Sequence, residues 1–179
     1  LFAVAALSAS AQRNVENFNF GWQFHRGNID VTAINTSDGS WETINVPHDF
    51  QISQPWVAPA ANESEDNSDG ASNFKSRLSA RGFKEMGDGW YVKTYTPAAD
   101  MKGRRILLDF EGIMYVGDVY LNGKRIGGTD YGYLGFDIDV SKLLKYGQAN
   151  TIAVHASTSG PLNSRWYTGG GLYRDVKIV

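Results

Sequence analysis

The stretch that decides the fold lies in the middle of the chain and reads Val116-Gly117-Asp118-Val119-Tyr120-Leu121-Asn122-Gly123-Lys124-Arg125-Ile126-Gly127. Its first half has the composition of a β-strand, rich in valine and tyrosine. Asn122-Gly123 is the residue pair that best satisfies a type I′ turn, because both central positions of that turn need positive φ. The stretch therefore predicts a β-hairpin with Asn122-Gly123 at its tip.

Short strand-like segments with turn signals between them extend in both directions from this hairpin. They are Phe18–Trp22, Trp41–Val46, Trp90–Thr96, Arg105–Phe110, Thr151–Ala156 and Leu172–Val179. Ser141–Lys145 has the pattern of one helical turn with a serine N-cap, closed by Gly147. Ala58–Gly89 is rich in Asn, Ser, Asp, Glu and Gly, has few apolar residues, and is predicted to be a surface loop. Because no long 3.6-residue periodicity is present, the chain is predicted to be all-β, an antiparallel β-sandwich.

Composition restricts the possible partners and the compartment. The 179 residues carry a formal net charge of -2, which argues against nucleic acid or an anionic membrane as a partner, since both select for concentrated basic surface. Apolar residues make up 42% of the chain, enough for one sizeable core. Cysteine is absent, which excludes a disulfide framework, thiolate metal sites and a cysteine nucleophile.

The first residues have the pattern of a signal peptide. Leu1–Leu7 is an apolar run, too short to span a membrane, and Ala9 and Ala11 form a small-x-small cleavage pattern. We therefore expect residues 1–11 to be the remnant of a signal peptide and the mature domain to comprise residues 12–179. The expected location is periplasmic or extracellular. A buried strand or helix is the alternative interpretation of this run.

Five ordered motifs give the chain a resemblance to the N-terminal domain of family 2 glycoside hydrolases, the β-galactosidase, β-glucuronidase and β-mannosidase group. They are Val46-Pro47-His48-Asp49-Phe50, Gly89-Trp90-Tyr91 with Lys93, Phe110–Gly123, Gly132–Val140, and Asn163–Val179, whose triple glycine is predicted to allow close backbone approach. The resemblance covers about Phe18 to Val179 and is to a β-galactosidase-like member of this group. It implies a jelly roll of the galactose-binding-domain type, in agreement with the sandwich predicted from the strand pattern.

The resemblance also implies where catalysis takes place. Retaining glycosidases need two carboxyl groups about 5–5.5 Å apart. In this family both are glutamates on a barrel that follows the jelly roll and an immunoglobulin-like domain, and nothing in the chain resembles that barrel. Asp109 and Glu111 share one strand face, and solvated charges or a turn hydrogen bond explain them better than catalysis does. No catalytic residue is therefore predicted here, and the fragment alone is expected to be inactive.

Arg165 is the sharpest candidate for binding substrate. Its guanidinium can donate to several sugar hydroxyls at once, and the resemblance implies that the loop before Gly169–Gly171 leans over the barrel mouth. A salt bridge within the jelly roll, or stacking on Trp166, is the structural alternative. Trp166 and Tyr167 are also candidate substrate-binding residues, although such aromatics are more often core or interface residues than sugar platforms.

Asp130 is the second candidate, because the resemblance to galactosidases implies an aspartate in this loop that accepts hydrogen bonds from sugar hydroxyls. Tyr131 could equally occupy the matching position, and capping of backbone amides is the structural alternative. His48 and Asp49 are adjacent and point opposite ways in an extended segment, so structural hydrogen bonding is expected of them.

No metal and no cofactor are expected. His25, His48 and His155 lack metal-ligand spacing. The oxygen-rich run around Asp66 lacks the regular spacing of a calcium loop.

The leading hypothesis is an accessory, sugar-binding domain of an exported β-galactosidase-like hydrolase. Its expected partner is a β-linked carbohydrate shared with the downstream catalytic domain. The full-length enzyme could be a homo-oligomer. An autonomous carbohydrate-binding module and a purely structural interdomain module are the alternatives. The identity of the glycoside stays open, because the barrel residues that select it are outside the chain.

Overall fold

The computed structural model describes residues 13–58, 83–159 and 167–179. Within these ranges the chain forms two antiparallel sheets with short connections. The strands are β1 Glu16–Asn17, β2 Trp22–Arg26, β3 Glu42–Ile44, β4 Asp88–Tyr95, β5 Leu107–Phe110, β6 Val116–Leu121, β7 Lys124–Thr129, β8 Phe136–Asp139, β9 Asn150–Ser157 and β10 Val176–Ile178. The predicted all-β class and the sandwich architecture are confirmed.

The two sheets differ in size. The smaller has the strand order β1-β10-β5-β8, and the larger has the order β3-β2-β4-β9-β6-β7. Strands that are neighbours in space are often distant in sequence, as in the pairing of β2 with β4 and of β4 with β9. Such non-local pairing also makes the first and last described strands neighbours, since β10 lies between β1 and β5.

One continuous core lies between the sheets and draws residues from both. Alternate residues of a strand point to opposite faces, so each inner face contributes every second side chain. Fully buried members include Trp22, Tyr91, Val119 and Val154 of the larger sheet. The buried core residues of the smaller sheet include Leu108, Phe110, Val176 and Ile178.

The predicted hairpin forms as the sequence indicates. Asn122 and Gly123 have φ values of 51° and 81°, so both central positions are left-handed, as a type I′ turn requires. The Asn122 side chain adds two bonds: its amide donates to Asn150 Oδ1 at 3.0 Å, and its Oδ1 accepts from the Thr151 N–H at 3.0 Å. The tip is therefore tied to β9 as well as to its own strands.

Asn122→Ala is expected to lower the free energy of unfolding by about 2 kcal/mol. Alanine is poorly suited to left-handed φ, and two side-chain hydrogen bonds are lost. Urea unfolding of the chain measures the change. Lys124→Ala, an exposed neighbour in the same hairpin, serves as the control and should change stability little. Equal stability of the two variants would contradict this account of the turn.

The segment Phe18–Trp22 was predicted as a strand, and this prediction is wrong. Phe18 is buried, Phe20 is exposed, and Gly21 has a φ of 72°, so the chain turns here between β1 and β2. The Lys93 ammonium accounts for the turn, because it donates to the carbonyls of both Phe18 and Phe20. Of the three aromatic rings in this segment, Phe18 and Trp22 are buried and Phe20 is exposed.

The predicted turn after β8 forms, but with a different cap. The Leu144 N–H donates to the Val140 carbonyl at 3.1 Å, which closes one helical turn. Asp139 supplies the cap, since its Oδ1 accepts from the Ser141 N–H at 3.0 Å. Ser141 instead accepts from the Ile106 N–H at 2.8 Å, so the predicted serine N-cap is wrong.

Other boundaries shift by a few residues. Strand β4 begins at Asp88, inside the predicted polar loop, and the last strand spans only Val176–Ile178. The predicted signal remnant, residues 1–11, lies outside the described residues, as does most of the polar loop. In the described ranges, helical structure is limited to two 3₁₀ turns, and no helix there has the length and apolarity to cross a membrane.

Candidate functional site

The register of the larger sheet brings several connections to one end of the sandwich. Arg26 pairs with Gly89, Asp88 pairs with Ser157, and Ser157 pairs with Val116, so these residues all lie at the same end of the sheet. The connections that leave this end are residues 27–41, 83–87, 111–115 and 130–135, together with the segment that follows β9. The loop before the triple glycine belongs to that segment.

Asp49 organises the segment that carries the triple glycine. Its Oδ1 accepts from the N–H groups of Gln51 and Gly170, each at 2.9 Å, and its Oδ2 accepts from the Tyr167 hydroxyl at 2.7 Å. One carboxylate therefore joins two segments more than a hundred residues apart in sequence. The structural hydrogen bonding predicted for Asp49 is present, and its partner is the predicted site loop.

Backbone pairing holds the glycine segment on both sides. The N–H groups of His48 and Phe50 donate to the carbonyls of Leu172 and Gly170 at 2.7 and 2.9 Å. On the other side, Met114 and Gly171 exchange two backbone hydrogen bonds of 2.8 and 2.6 Å. The segment Gly169–Gly171 is thus fixed between two others, and we call it the glycine platform.

The packing around this platform leaves no room for a β-carbon. A Cβ on Gly170 would lie 2.8 Å from Thr158 Cγ2 and 2.9 Å from Gln51 Oε1. A Cβ on Gly171 would lie 2.0 Å from the Tyr91 hydroxyl oxygen. The glycines were predicted to allow close backbone approach, and the structure shows which groups approach them.

Partly buried His48 and fully buried Tyr91 form a polar pair beside the platform. His48 Nδ1 lies 2.9 Å from the Tyr91 hydroxyl oxygen. Burial lowers the pKa of His48 and raises that of Tyr91, so both side chains are neutral near pH 7.

Gln51 is the unusual residue of this region. Its side chain is fully buried, and neither its amide nitrogen nor its carbonyl oxygen has a hydrogen-bond partner among the described residues. Buried polar groups are nearly always paired, so such an amide beside Gly170 marks a place where further contacts are made. Sequence reasoning missed Gln51 and Tyr91, because neither is distinguished by its neighbours in the chain.

The structure describes two of the four predicted substrate-binding residues. Tyr167 is partly buried, and its hydroxyl is engaged by Asp49. Burial, and then the bond to Asp49, raises the pKa of Tyr167, so the phenol stays protonated. The Tyr167 side chain therefore anchors its loop to Asp49. Arg165 and Trp166 lie outside the described residues.

Asp130 is exposed and makes no hydrogen bond or ion pair within the described residues, so its carboxylate is available. Its loop is joined to the platform, because the Tyr173 hydroxyl donates to the Gly132 carbonyl at 2.8 Å. Tyr131, the alternative at this position, is 48% exposed and lies beside the Tyr133 ring. Both candidates therefore belong to the end of the sandwich that carries the glycine platform.

Glu111 and His155, which the sequence also brought into consideration, have structural partners. Glu111 forms an ion pair with Lys177, and Asp109 lies opposite Lys177 in the β5–β10 pairing. His155 Nε2 lies 3.0 Å from Asp88 Oδ1. In the described ranges no group of three metal-ligating side chains comes together. The run around Asp66 lies outside those ranges.

Comparisons with known proteins agree with this architecture. The family described as glycosyl hydrolase 2, galactose-binding domain-like, matches residues 75–163. A β-glucuronidase of Formosa agariphila is 32% identical over 93% of this chain, and a β-galactosidase of Bacteroides ovatus is 30% identical over 98%. A solved β-glycosidase from Bacteroides vulgatus superposes with a TM-score of 0.74 at 31% identity over 93% of the chain. The chain covers only 17%, 19% and 20% of these proteins.

Proposed function

Because this chain belongs to glycoside hydrolase family 2, as one of its N-terminal domains, we propose that it shapes the sugar subsite of a hydrolase whose catalytic glutamates lie in a later domain. In this proposal Arg165 and Asp130 bind sugar hydroxyls, and Trp166 and Tyr167 support them. The domain contributes to binding, while the chemical step takes place elsewhere in the full-length enzyme.

The observation that carries the proposal is the anchoring of Tyr167 and Gly170 by Asp49. A side chain contributes more to transition-state binding when it is held in place before the substrate arrives, because no ordering cost is then incurred. Arg165 and Trp166 directly precede the anchored residue in the sequence. A domain that only separates its neighbouring domains does not need the bonds from Asp49 that fix this short loop.

The names of the relatives indicate the substrate class in part. Their names include both β-galactosidase and β-glucuronidase, so we propose a β-linked glycoside and take a β-galactoside as the first substrate. A guanidinium at position 165 suits either sugar, since it binds hydroxyls and carboxylates alike. Comparing nitrophenyl β-galactoside with nitrophenyl β-glucuronide as substrates of the full-length enzyme decides between them.

The same proposal includes export. The apolar run Leu1–Leu7 and the alanines at positions 9 and 11 have the pattern of a signal peptide, and a polymeric β-glycoside is most accessible outside the cytoplasm. N-terminal sequencing of the mature enzyme is expected to begin at or near Gln12. Mature protein that retains residues 1–11 would refute this part.

Arg165→Ala in the full-length enzyme is expected to lower kcat/KM by about ten- to a hundredfold. A charge-assisted hydrogen bond to a bound sugar is worth about 1.5–3 kcal/mol, and each 1.4 kcal/mol is a factor of ten. Steady-state kinetics and thermal unfolding are measured on the same preparation. Arg104→Ala is the control, because Arg104 is an exposed arginine in the connection between β4 and β5.

The two alternative functions give different outcomes in this test. A purely structural module predicts normal kcat/KM per folded Arg165→Ala molecule. An autonomous carbohydrate-binding module predicts normal hydrolysis of a small aryl glycoside and a loss of binding to polymer. Either result would remove Arg165 from the sugar subsite.

A further inference from the structure

A polar cleft lies on the flank of the larger sheet. It has a volume of about 370 Å³ and is formed by the end of β2, the residues that lead into β3, and the segment that follows Pro47. Small-molecule sites usually enclose about 300–1,000 Å³, so the cleft is large enough for a single sugar ring. Its chemically distinctive lining residues are His25, Arg26, Trp41, Glu42, His48 and Gln54.

Trp41 supplies a fixed aromatic surface in this cleft. Its ring lies 5.2 Å from that of His25, at an interplanar angle of 39°. The indole also packs against the small cluster built around Trp90 on the outer face of the sheet. Trp41 remains partly exposed, so its ring is held in place and still presents apolar surface to solvent.

Each of the two histidines is bonded to the protein through one ring nitrogen. His25 Nδ1 lies 3.1 Å from the Ser40 carbonyl, which can only accept, so the neutral ring carries its proton on Nδ1 and its Nε2 is an acceptor. His48 Nδ1 lies 2.9 Å from the Tyr91 hydroxyl oxygen, which leaves its Nε2 for a ligand. The second nitrogen of each imidazole can therefore bond to a ligand hydroxyl.

The Arg26 cation of the cleft is already paired. Its Nη2 donates to the Met86 carbonyl at 3.2 Å and lies 3.5 Å from Glu85 Oε2, and its guanidinium lies over the Phe50 ring. Glu42, on edge strand β3, adds a carboxylate, which only accepts. Because Arg26 is paired with Glu85 and Glu42 is negative, the cleft does not favour a phosphate or another anion.

We propose that this cleft binds a neutral pyranose, as one unit of a β-linked oligosaccharide, beside the glycine platform, to which the cleft residue Phe50 is hydrogen-bonded. A pyranose carries hydroxyls that donate and accept together, and its ring has an apolar face for the Trp41 indole. The cleft supplies donors, acceptors and an aromatic plane in that combination. This proposal does not depend on the role of Arg165.

Titration of the 179-residue chain with methyl β-D-galactopyranoside, methyl β-D-glucopyranoside and lactose tests the proposal, with amide and indole chemical shifts as the readout. At least one probe is expected to bind with a Kd near 1 mM, which corresponds to about −4 kcal/mol. The shifts of Trp41, His25 and His48 should move together. Trp41→Ala should weaken binding at least tenfold.

Matched variants separate this site from other sugar contacts. Trp56→Ala removes another exposed tryptophan, one that does not line the cleft, and should leave affinity unchanged. Glu42→Ala removes an exposed acceptor on an edge strand, so it tests the cleft even if Trp41→Ala fails to fold. Glu42→Ala is expected to weaken binding several-fold.

Two results would overturn the proposal. One is the absence of any shift at the cleft residues with all three probes at about twenty times the expected Kd, near 20 mM. The other is binding that Arg165→Ala abolishes while Glu42→Ala and Trp41→Ala leave it intact. The second result would assign the sugar to the glycine platform and leave the proposed function standing.

Discussion

Asp49→Ala is expected to lower the free energy of unfolding by about 3–5 kcal/mol. The substitution leaves the N–H groups of Gln51 and Gly170 and the hydroxyl of Tyr167 without their acceptor. Hydrogen bonds to a charged group are worth about 1.5–3 kcal/mol each, and partial exposure of the carboxylate keeps the total below their sum. Urea unfolding of the chain gives the stability. In the full-length enzyme kcat/KM should fall as well, because the platform loosens.

Asp38→Ala is the matched control for Asp49→Ala. Asp38 makes the same local bond, accepting from the N–H two residues later, Ser40, at 2.9 Å, but it is exposed and reaches no distant segment. Its loss should cost about 1 kcal/mol or less. Asp49→Asn keeps the shape and one acceptor oxygen, so it should fall between the two. Equal effects of Asp38→Ala and Asp49→Ala would show that the bonds to Gly170 and Tyr167 add nothing.

Gly171→Ala is expected to abolish folding or to cost more than about 4 kcal/mol. Gly171 has a φ of 115°, where side chains are strained, and a Cβ there would lie 2.0 Å from the Tyr91 hydroxyl and 2.9 Å from the His48 carbonyl. Tyr91 is fully buried and cannot move aside without disturbing the core. Circular dichroism and thermal unfolding of the purified variant measure the effect.

Gly103→Ala separates backbone strain from crowding. Gly103 has a similar φ of 95°, but nothing lies within 4 Å of its Cβ position, so only the strain, about 1–2 kcal/mol, should appear. A second test adds Tyr91→Phe, which removes the crowding hydroxyl. The double variant should be more stable than Gly171→Ala alone, a non-additive result expected only for groups in contact. Equal losses for Gly103→Ala and Gly171→Ala would contradict the packing described around the platform.

Local features of the fold were predictable because they depend on neighbouring residues. The Asn122-Gly123 turn is an example, since its geometry is set by which residues tolerate positive φ. The prediction failed at Phe18–Trp22, where apolar alternation marked a turn held by Lys93. It also failed at Ser141, because the Leu143 and Leu144 N–H groups donate to the Val140 carbonyl and the Ser141 hydroxyl instead accepts from Ile106, a residue distant in sequence.

The candidate site was predictable in part for the same reason. The sequence indicated that the triple glycine allows close approach and that Asp49 makes structural hydrogen bonds. It could not indicate that Asp49 holds Gly170, because 121 positions separate them and only the sheet register brings them together. The buried amide of Gln51 carries no local signature and became visible only in the packed structure.

A crystal structure of the full-length enzyme with a bound, unreactive β-glycoside analogue tests the central claim most directly. The account predicts that the Arg165 guanidinium and a sugar oxygen lie within hydrogen-bonding distance, about 2.7–3.2 Å, with Tyr167 still bonded to Asp49. A sugar held only by residues of later domains, with residues 165–167 and Asp130 beyond hydrogen-bonding reach, would contradict it.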